Sequence, residues 1–256
     1  MKQILDFQVL ENVTLNDHNY LLKLTHPQFD SAQVMPGQFV EVKVDNSATT
    51  FLRRPISVHY VDVANKELWL LIQKVGDGSK KLGTLSIGDT VSIIVPLGNS
   101  FSMPTKANAN VLLIGGGVGT APLLYFGKQL KEAGHNVTFL LGARKGDDLV
   151  QLDEFAKYGV VECTTEDGSL GEKGFVTQHS ILSTQEFDSF HTCGPKPMML
   201  AVARIAMEKD IFCEVSLENK MACGFGVCLC CVEKTVEGHK CVCTDGPVFN
   251  LKDLQW

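Results

Sequence analysis

The sequence predicts a β-barrel, then an α/β domain, then a short cysteine-rich domain at the C-terminus. Three observations carry that expectation. Residues 1–100 fall into short alternating apolar runs divided by Gly, Pro and Asp, the pattern of several short strands joined by turns. Residues 111–212 alternate apolar strand runs with helix-period runs, which implies a parallel sheet. Six of the nine cysteines lie between 223 and 243. The expected boundaries are 1–102, 103–212 and 213–256. With 256 residues in all, the chain has length for about two full domains, so the last segment is a small one.

The composition, 45% hydrophobic and 20% charged, is that of ordinary globular domains. A net charge of −6 argues against nucleic acid as a partner. Met1–Asp6 lacks an apolar core of signal-peptide length. The run Val111–Ile114 is far too short to span a bilayer. The expectation is a cytoplasmic protein without membrane association.

In the first region the runs Tyr20–Leu24, Phe39–Val44, Leu68–Ile72 and Val91–Val95 are the expected strands. Turns fall at Pro36-Gly37 and Gly88-Asp89. The basic stretch Arg53-Arg54-Pro55-Ile56-Ser57 follows a β run. A guanidinium pairs with phosphate through two parallel hydrogen bonds, and a nearby hydroxyl adds a further donor. Gly76-Asp77-Gly78-Ser79 is a second candidate phosphate loop. Gly98–Asn110, rich in Ser, Pro, Thr, Asn and Ala, reads as the boundary.

In the second region Val111–Ile114 is a buried strand, and Gly115–Gly119 turns the chain into a helix over Thr120–Ala133. Leu123, Leu124, Phe126 and Leu130 form its apolar face, and Gly134 stops it. A strand at Val137–Leu141 and a helix at Leu149–Lys157 come next. Phe190–Cys193 leads through Gly194-Pro195 to a helix at Pro197–Met207, and Cys213–Leu217 is the last strand. Amides at the start of the first helix can hold a dinucleotide pyrophosphate. The second strand ends at Leu141-Gly142-Ala143-Arg144, without the carboxylate that usually holds a ribose 2′-hydroxyl. Arg144 suits a 2′-phosphate, and Asp147 and Asp148 suit a ribose, so the residues leave NAD and NADP both open.

The cysteines carry the most specific pattern. Cys223, four residues, Cys228, two residues, Cys231 and then a distant cysteine is the plant-type [2Fe–2S] spacing. Gly224 and Gly226 permit tight backbone turns whose amides reach sulfur. The fourth ligand is Cys241 or Cys243, which close a hairpin over Val232–Lys240. Disulfides are disfavoured without a signal peptide, and a zinc knuckle wants Cys-x-x-Cys at both ends.

Together these segments resemble the ferredoxin reductase superfamily. Arg54, Pro55, Ile56 and Ser57 resemble its flavin motif. Leu71, Ile72 and Gln73 match the strand backing the flavin, and Gly78 and Ser79 the pyrophosphate loop. Gly117–Pro122, with Gly117, Gly119 and Thr120, resembles the nicotinamide-nucleotide loop, and Cys193, Gly194 and Pro195 the second nucleotide motif. The resemblance covers essentially the whole chain. It is closest to the iron–sulfur electron-transfer subunits of NAD-linked dihydroorotate dehydrogenases. Their Met-Ala-Cys-Gly-x-Gly-x-Cys-x-x-Cys and Val-Cys-x-Asp-Gly-Pro-Val-Phe motifs stand here at 221–231 and 242–249.

The resemblance implies a ferredoxin reductase-like two-domain module with a C-terminal [2Fe–2S] domain. FAD and the [2Fe–2S] cluster would be its cofactors and NAD its co-substrate. It selects Cys223, Cys228, Cys231 and Cys243 as metal ligands and leaves Cys230 and Cys241 outside the set. It implies an FMN-containing dihydroorotate dehydrogenase catalytic subunit as partner, two copies of each forming a heterotetramer in pyrimidine (UMP) biosynthesis. No catalytic acid, base or nucleophile is assigned to this chain. Small subunits of NADPH–ferredoxin or sulfide dehydrogenase pairs share the domain order, but the Met-Ala-Cys-Gly-x-Gly run favours the first group.

Overall fold

Strand β1 (Gln3–Thr14) buries Phe7 and Val9 and leaves Asp6 and Gln8 outside, as period-two alternation requires. It leads a seven-stranded antiparallel sheet with β2 (Asn19–Thr25), β3 (Phe39–Val42), β4 (Arg54–Ser57), β5 (Tyr60–Asp62), β6 (Glu67–Gln73) and β7 (Thr90–Leu97). The strand order is β4-β3-β7-β1-β2-β6-β5. The sheet curls into a half-barrel, and β4 packs against β6, which brings residues 54–57 to residues 71–73. The computed structural model describes residues 2–256. β1 is absent from the sequence-based strand list, because polar residues interrupt its apolar run and a bulge falls between Val9 and Glu11. Arg-Pro-Ile-Ser is itself a strand. It lies at the sheet edge, where a proline is tolerated. A short helix, α1 (Asp77–Leu82), begins at the second phosphate-loop candidate.

The second sheet runs in the order β11-β10-β9-β8-β12-β13-β16. Its strands are β8 (Asn110–Gly116), β9 (Asn136–Ala143), β10 (Val160–Thr165), β11 (Glu172–Lys173), β12 (Ser189–Cys193) and β13 (Phe212–Ser216). These six are parallel. After the hairpin of β14 (Val232–Thr235) and β15 (Gly238–Cys241), β16 (Val248–Asn250) adds to β13 antiparallel. Helix α2 (Ala121–Glu132) packs on β8 and β9. Gly127 permits the closest approach, since a Cβ there would collide with the Phe139 ring. Helices α3 (Leu152–Ala156), α4 (Ile181–Thr184) and α5 (Lys196–Glu208) complete the region. The helix expected over 149–157 is shorter than its apolar pattern, because Gln151 takes a left-handed conformation at φ 59° and starts the helix late. Among the described residues no helix is long and apolar enough to cross a membrane.

The chain divides into two units. Residues up to Ser100 group with Asn219–Glu233 and His239–Pro247. Phe101–Glu218 groups with Lys234–Gly238 and Val248–Trp256. In the second unit a polar network centred on the buried His191 and Glu214 ties three segments together. The Nδ1 of His191 lies 3.1 Å from Glu214 Oε2, and its Nε2 lies 3.2 Å from the Ser189 hydroxyl. Ser102 donates its hydroxyl at 2.6 Å and its amide at 2.9 Å to the same carboxylate. Burial opposes charge on Glu214, but the bond and charge of His191 and the two Ser102 donors outweigh it and hold the carboxyl below its ordinary range. A carboxylate with a depressed folded pKa stabilises the fold above its unfolded pKa, and that contribution is lost as pH falls through the folded value. Glu214→Gln is therefore expected to cost about 1–3 kcal/mol at neutral pH, read by urea unfolding. The gap between variant and wild type should narrow as pH drops below about 4.3, the unfolded value.

Candidate functional site

The two arginines of the first unit divide their roles. Arg53 turns inward: Nη1 donates to the carbonyls of Ser92 at 2.8 Å and Glu41 at 3.3 Å, and Nη2 to the Ser92 hydroxyl at 3.1 Å. It stitches β4 to β3 and β7. Arg54 curls over its own turn, donating to the carbonyls of Arg53 and Leu52. Its stem lies against Gly78, where a Cβ would stand 3.1 Å from Arg54 Cδ. Arg54 and the 71–73 strand thus share one sheet, with Gly78 of α1 against the Arg54 stem and Pro55, Ile56 and Ser57 half-buried on β4. Ser79 is committed elsewhere. Its hydroxyl accepts from the amides of Val75 and Gly76 and donates to the Gly76 carbonyl, so its side chain closes the turn.

The cysteine segment belongs to the same unit. All nine cysteines are free thiols. Cys223 Sγ accepts from the amides of Phe225 at 3.4 Å and Cys228 at 3.5 Å, and these bonds lower its pKa to about 6. Cys243 Sγ accepts from Gly226 N at 3.1 Å, and Cys231 Sγ from Cys243 N at 3.4 Å. The thiols also meet in pairs, Cys223 with Cys228 and Cys231 with Cys243. Burial pushes the Cys243 thiol up to about 12. Cys241 also faces the loop, donating to the Gly226 carbonyl at 3.9 Å, near enough to Cys231, Cys223 and Cys228 to feel their charges. Its sulfur accepts none of the amide bonds that hold Cys223, Cys231 and Cys243. Cys230 is exposed. Gly224 and Gly226 hold φ of 70° and 78°, the left-handed turns that aim these amides at sulfur. Among the described residues no three ligand side chains converge as a mononuclear metal would require. Two thiol pairs surrounded by amide donors suit a binuclear cluster, whose sulfurs are stabilised by such hydrogen bonds.

Between β4 and this loop lies a residue that the motifs did not single out. Glu41 is 1% exposed, and neither carboxylate oxygen has a hydrogen-bond partner. A Cβ on Gly224 would stand 3.0 Å from its Cγ. Burial raises its pKa to about 7, against the charges of Arg54 and Arg53.

In the second unit the Gly-rich turn meets the Cys-Gly-Pro turn directly. β8 and β12 pair with Gly115 opposite Cys193. A Cβ on Gly119 would stand 2.5 Å from Gly194 Cα. Gly117, at φ +56°, has open space where a Cβ would be, so a phosphate can approach the crest of the turn. Thr120 donates to the Gly117 carbonyl at 3.1 Å and fixes the turn. Cys193 is fully buried and lies 3.8 Å from Glu218 Oε1. Pro195 caps the start of α5.

Residues 218–255 match the iron–sulfur cluster binding domain of dihydroorotate dehydrogenase B, and residues 113–204 match the oxidoreductase NAD-binding domain. The chain is 38% identical to the dihydroorotate dehydrogenase B (NAD(+)) electron transfer subunit of Listeria monocytogenes, over 98% of each chain. It is 38% identical to that of Clostridium perfringens, over 97% of each. The chain belongs to the family of dihydroorotate dehydrogenase B electron transfer subunits. The Caldanaerobacter subterraneus member is 42% identical over 86% of each chain. A solved NADH-dependent reduced ferredoxin–NADP oxidoreductase superposes with a TM-score of 0.88 at 32% identity, over 98% of this chain and 90% of that one. The ferredoxin reductase of a carbazole 1,9a-dioxygenase shares the fold, with a TM-score of 0.70 at 20% identity over 82% and 67%. In this family member the matched cluster-binding segment contains all six late cysteines.

The thiol contacts generate a direct expectation. Cys243→Ser should abolish the reduced-state [2Fe–2S] EPR signal and lower bound iron, whereas Cys241→Ser and Cys230→Ser should keep both. The reverse ranking of 243 and 241 would move the fourth ligand.

Proposed function

We propose that this chain is the electron-transfer subunit of an NAD-linked dihydroorotate dehydrogenase, passing electrons from an FMN-bearing catalytic subunit to NAD+ for pyrimidine synthesis in the cytoplasm. The observation that carries the reading is the cysteine loop in the same unit as the Arg54 strand, in a chain matched along its length by that family. FAD exchanges one or two electrons and the cluster one, which joins a one-electron path to two-electron nicotinamide chemistry. Cys223 with Cys228 and Cys231 with Cys243 are the proposed ligand pairs. Arg54 would hold the FAD pyrophosphate, with Gly78 close behind it and the backbone of Ser79 nearby. Ile56 and Ser57 on β4 and Leu71–Gln73 on β6 would line the ring. Gly117, Gly119 and Thr120 would hold the nicotinamide nucleotide, next to Cys193, Gly194 and Pro195.

The partner would dock at the loop 223–231. Phe225, Val227 and Leu229 there are 40%, 82% and 63% exposed, more than shielding of the sulfurs requires. We expect a heterotetramer of two copies of each subunit.

Three outcomes test the reading. The isolated chain should pass electrons from NADH to an artificial acceptor and leave dihydroorotate unoxidised; oxidation of dihydroorotate without a partner would overturn it. Arg54→Ala should weaken FAD binding by about 1.5–3 kcal/mol, the worth of a hydrogen bond to a charged group, while the protein stays folded. Unchanged flavin affinity would remove Arg54 from the site. Leu229→Asp should block assembly with the FMN subunit and spare NADH–dye activity, since a desolvated charge in an interface is costly.

A further inference from the structure

A carboxyl group left without a partner inside a protein is costly, and each one asks for an explanation. Glu41 is such a group. It stands in β3, between Ile94 of β7 and Pro55 of β4. Its strand neighbours Phe39, Val40 and Val42 are buried and apolar. Glu41 is buried as deeply, yet neither of its carboxylate oxygens meets a donor. The two nearby guanidinium groups do not serve it. Arg53 gives Nη1 to the backbone carbonyls of Glu41 and Ser92 and Nη2 to the Ser92 hydroxyl. Arg54 donates to the carbonyls of Arg53 and Leu52. Both arginines still act through space, each favouring the charged form of Glu41. The carboxylate is therefore held as a charge and makes no bond that the fold needs. An apolar side chain would pack this strand at lower cost.

What it faces is the cysteine loop. A Cβ on Gly224 would stand 3.0 Å from Glu41 Cγ and 3.3 Å from its Oε1, so only a glycine lets the loop pass this close. The residue before Gly224 is Cys223, and its negative charge opposes that of Glu41. The loop carries two opposed influences. Amides of Phe225, Cys228 and Gly226 point at the sulfurs of Cys223 and Cys243 and favour an added electron. The Glu41 carboxylate behind the loop disfavours it. Among the described residues Glu214 is the one other buried acid. It lies in the other unit, with both oxygens bonded.

We propose that Glu41 tunes the reduction potential of the cluster, its buried carboxylate lowering that potential so that the cluster passes its electron on to the flavin. The inference rests on the reading of the cysteine loop as a [2Fe–2S] site. No bond forms or breaks: one electron enters the cluster from the partner subunit and leaves it toward FAD. The potential of such a cluster follows its net charge, the hydrogen bonds to its sulfurs and its exposure. Glu41 adds to the charge around it. At an effective dielectric constant of about 20, a unit charge roughly 10 Å away shifts a one-electron equilibrium by about tenfold. An exposed acid at that separation is screened by salt and does far less.

A redox titration of the chain loaded with cluster and FAD, read by EPR at about pH 8.5, tests this without turnover. The carboxylate is charged there, since its pKa is about 7. Glu41→Gln keeps the shape and removes the charge. It should favour the reduced cluster by about tenfold, a positive shift of about 59 mV for one electron. Glu41→Met, apolar and of similar size, should shift the potential in the same direction. Glu41→Asp, which keeps the charge, should stay closer to the wild type than either. Glu11→Gln removes an exposed acid of the same sheet and should leave the potential unchanged. Bound iron shows in each variant that the cluster is retained. An unaltered potential in Glu41→Gln and Glu41→Met, or an equal shift in Glu11→Gln, overturns the assignment. Loss of the cluster in both Glu41→Gln and Glu41→Met also overturns it, since the carboxylate would then be structural. If the wild type shows no [2Fe–2S] signal, the cluster reading itself fails and the proposal falls with it.

Discussion

Position 98 has no side chain, and the arrangement of the first unit depends on that. Gly98 ends β7 at φ +75°, and a Cβ there would stand 2.5 Å from Pro247 Cδ and 2.8 Å from the Gly246 carbonyl. Because it is absent, Asn99 reaches the returning C-terminal chain, donating its amide to Gly246 at 2.6 Å and its side chain to Asp245 at 3.0 Å. Asp245 in turn accepts from the Cys241 amide at 2.7 Å. The last cysteines are thus held to a strand far earlier in the chain. β3 lies between β7 and β4, so one sheet carries the cysteine loop at one place and Arg54–Ser57 at another. Electron transfer depends steeply on separation, and a shared sheet keeps that separation constant.

Close approach through glycine recurs in the second unit. Gly119 lets the dinucleotide turn touch the Cys-Gly-Pro turn, and Gly116 would meet Met198 Sδ at 2.5 Å if it carried a Cβ. Two nucleotide motifs far apart in sequence become one surface through missing side chains. The His191–Glu214–Ser102 network stabilises the strands behind that surface. Its buried groups, on His191, Glu214 and Ser189, are all partnered, the condition under which such a network is favourable.

Much of this was legible in the sequence. Strands β2, β6, β8 and β12 follow apolar runs whose burial matches the pattern, and the cysteine spacing by itself specifies a [2Fe–2S] cluster. What escaped did so for physical reasons. β1 hides because polar residues and a bulge break its alternation. β10 hides because Glu162, Thr164 and Thr165 are polar on a strand at the thin side of the sheet. The different fates of Arg53 and Arg54 depend on which one meets Ser92, a contact between strands that local sequence does not encode. The motif counts Ser79 in the pyrophosphate loop, and only the fold shows that its hydroxyl closes its own turn. Glu41 acquires its setting only when Gly224 is brought beside it.

The central claim is that the path between nicotinamide and cluster is complete within this one chain. Rapid mixing of the isolated, cofactor-loaded protein with NADH, followed by flavin absorbance and freeze-quenched EPR, tests it most directly. The account predicts that the reduced-cluster signal grows along with flavin bleaching, with no partner subunit and no dihydroorotate present. Flavin that bleaches while the cluster stays oxidised until the partner is added would contradict it.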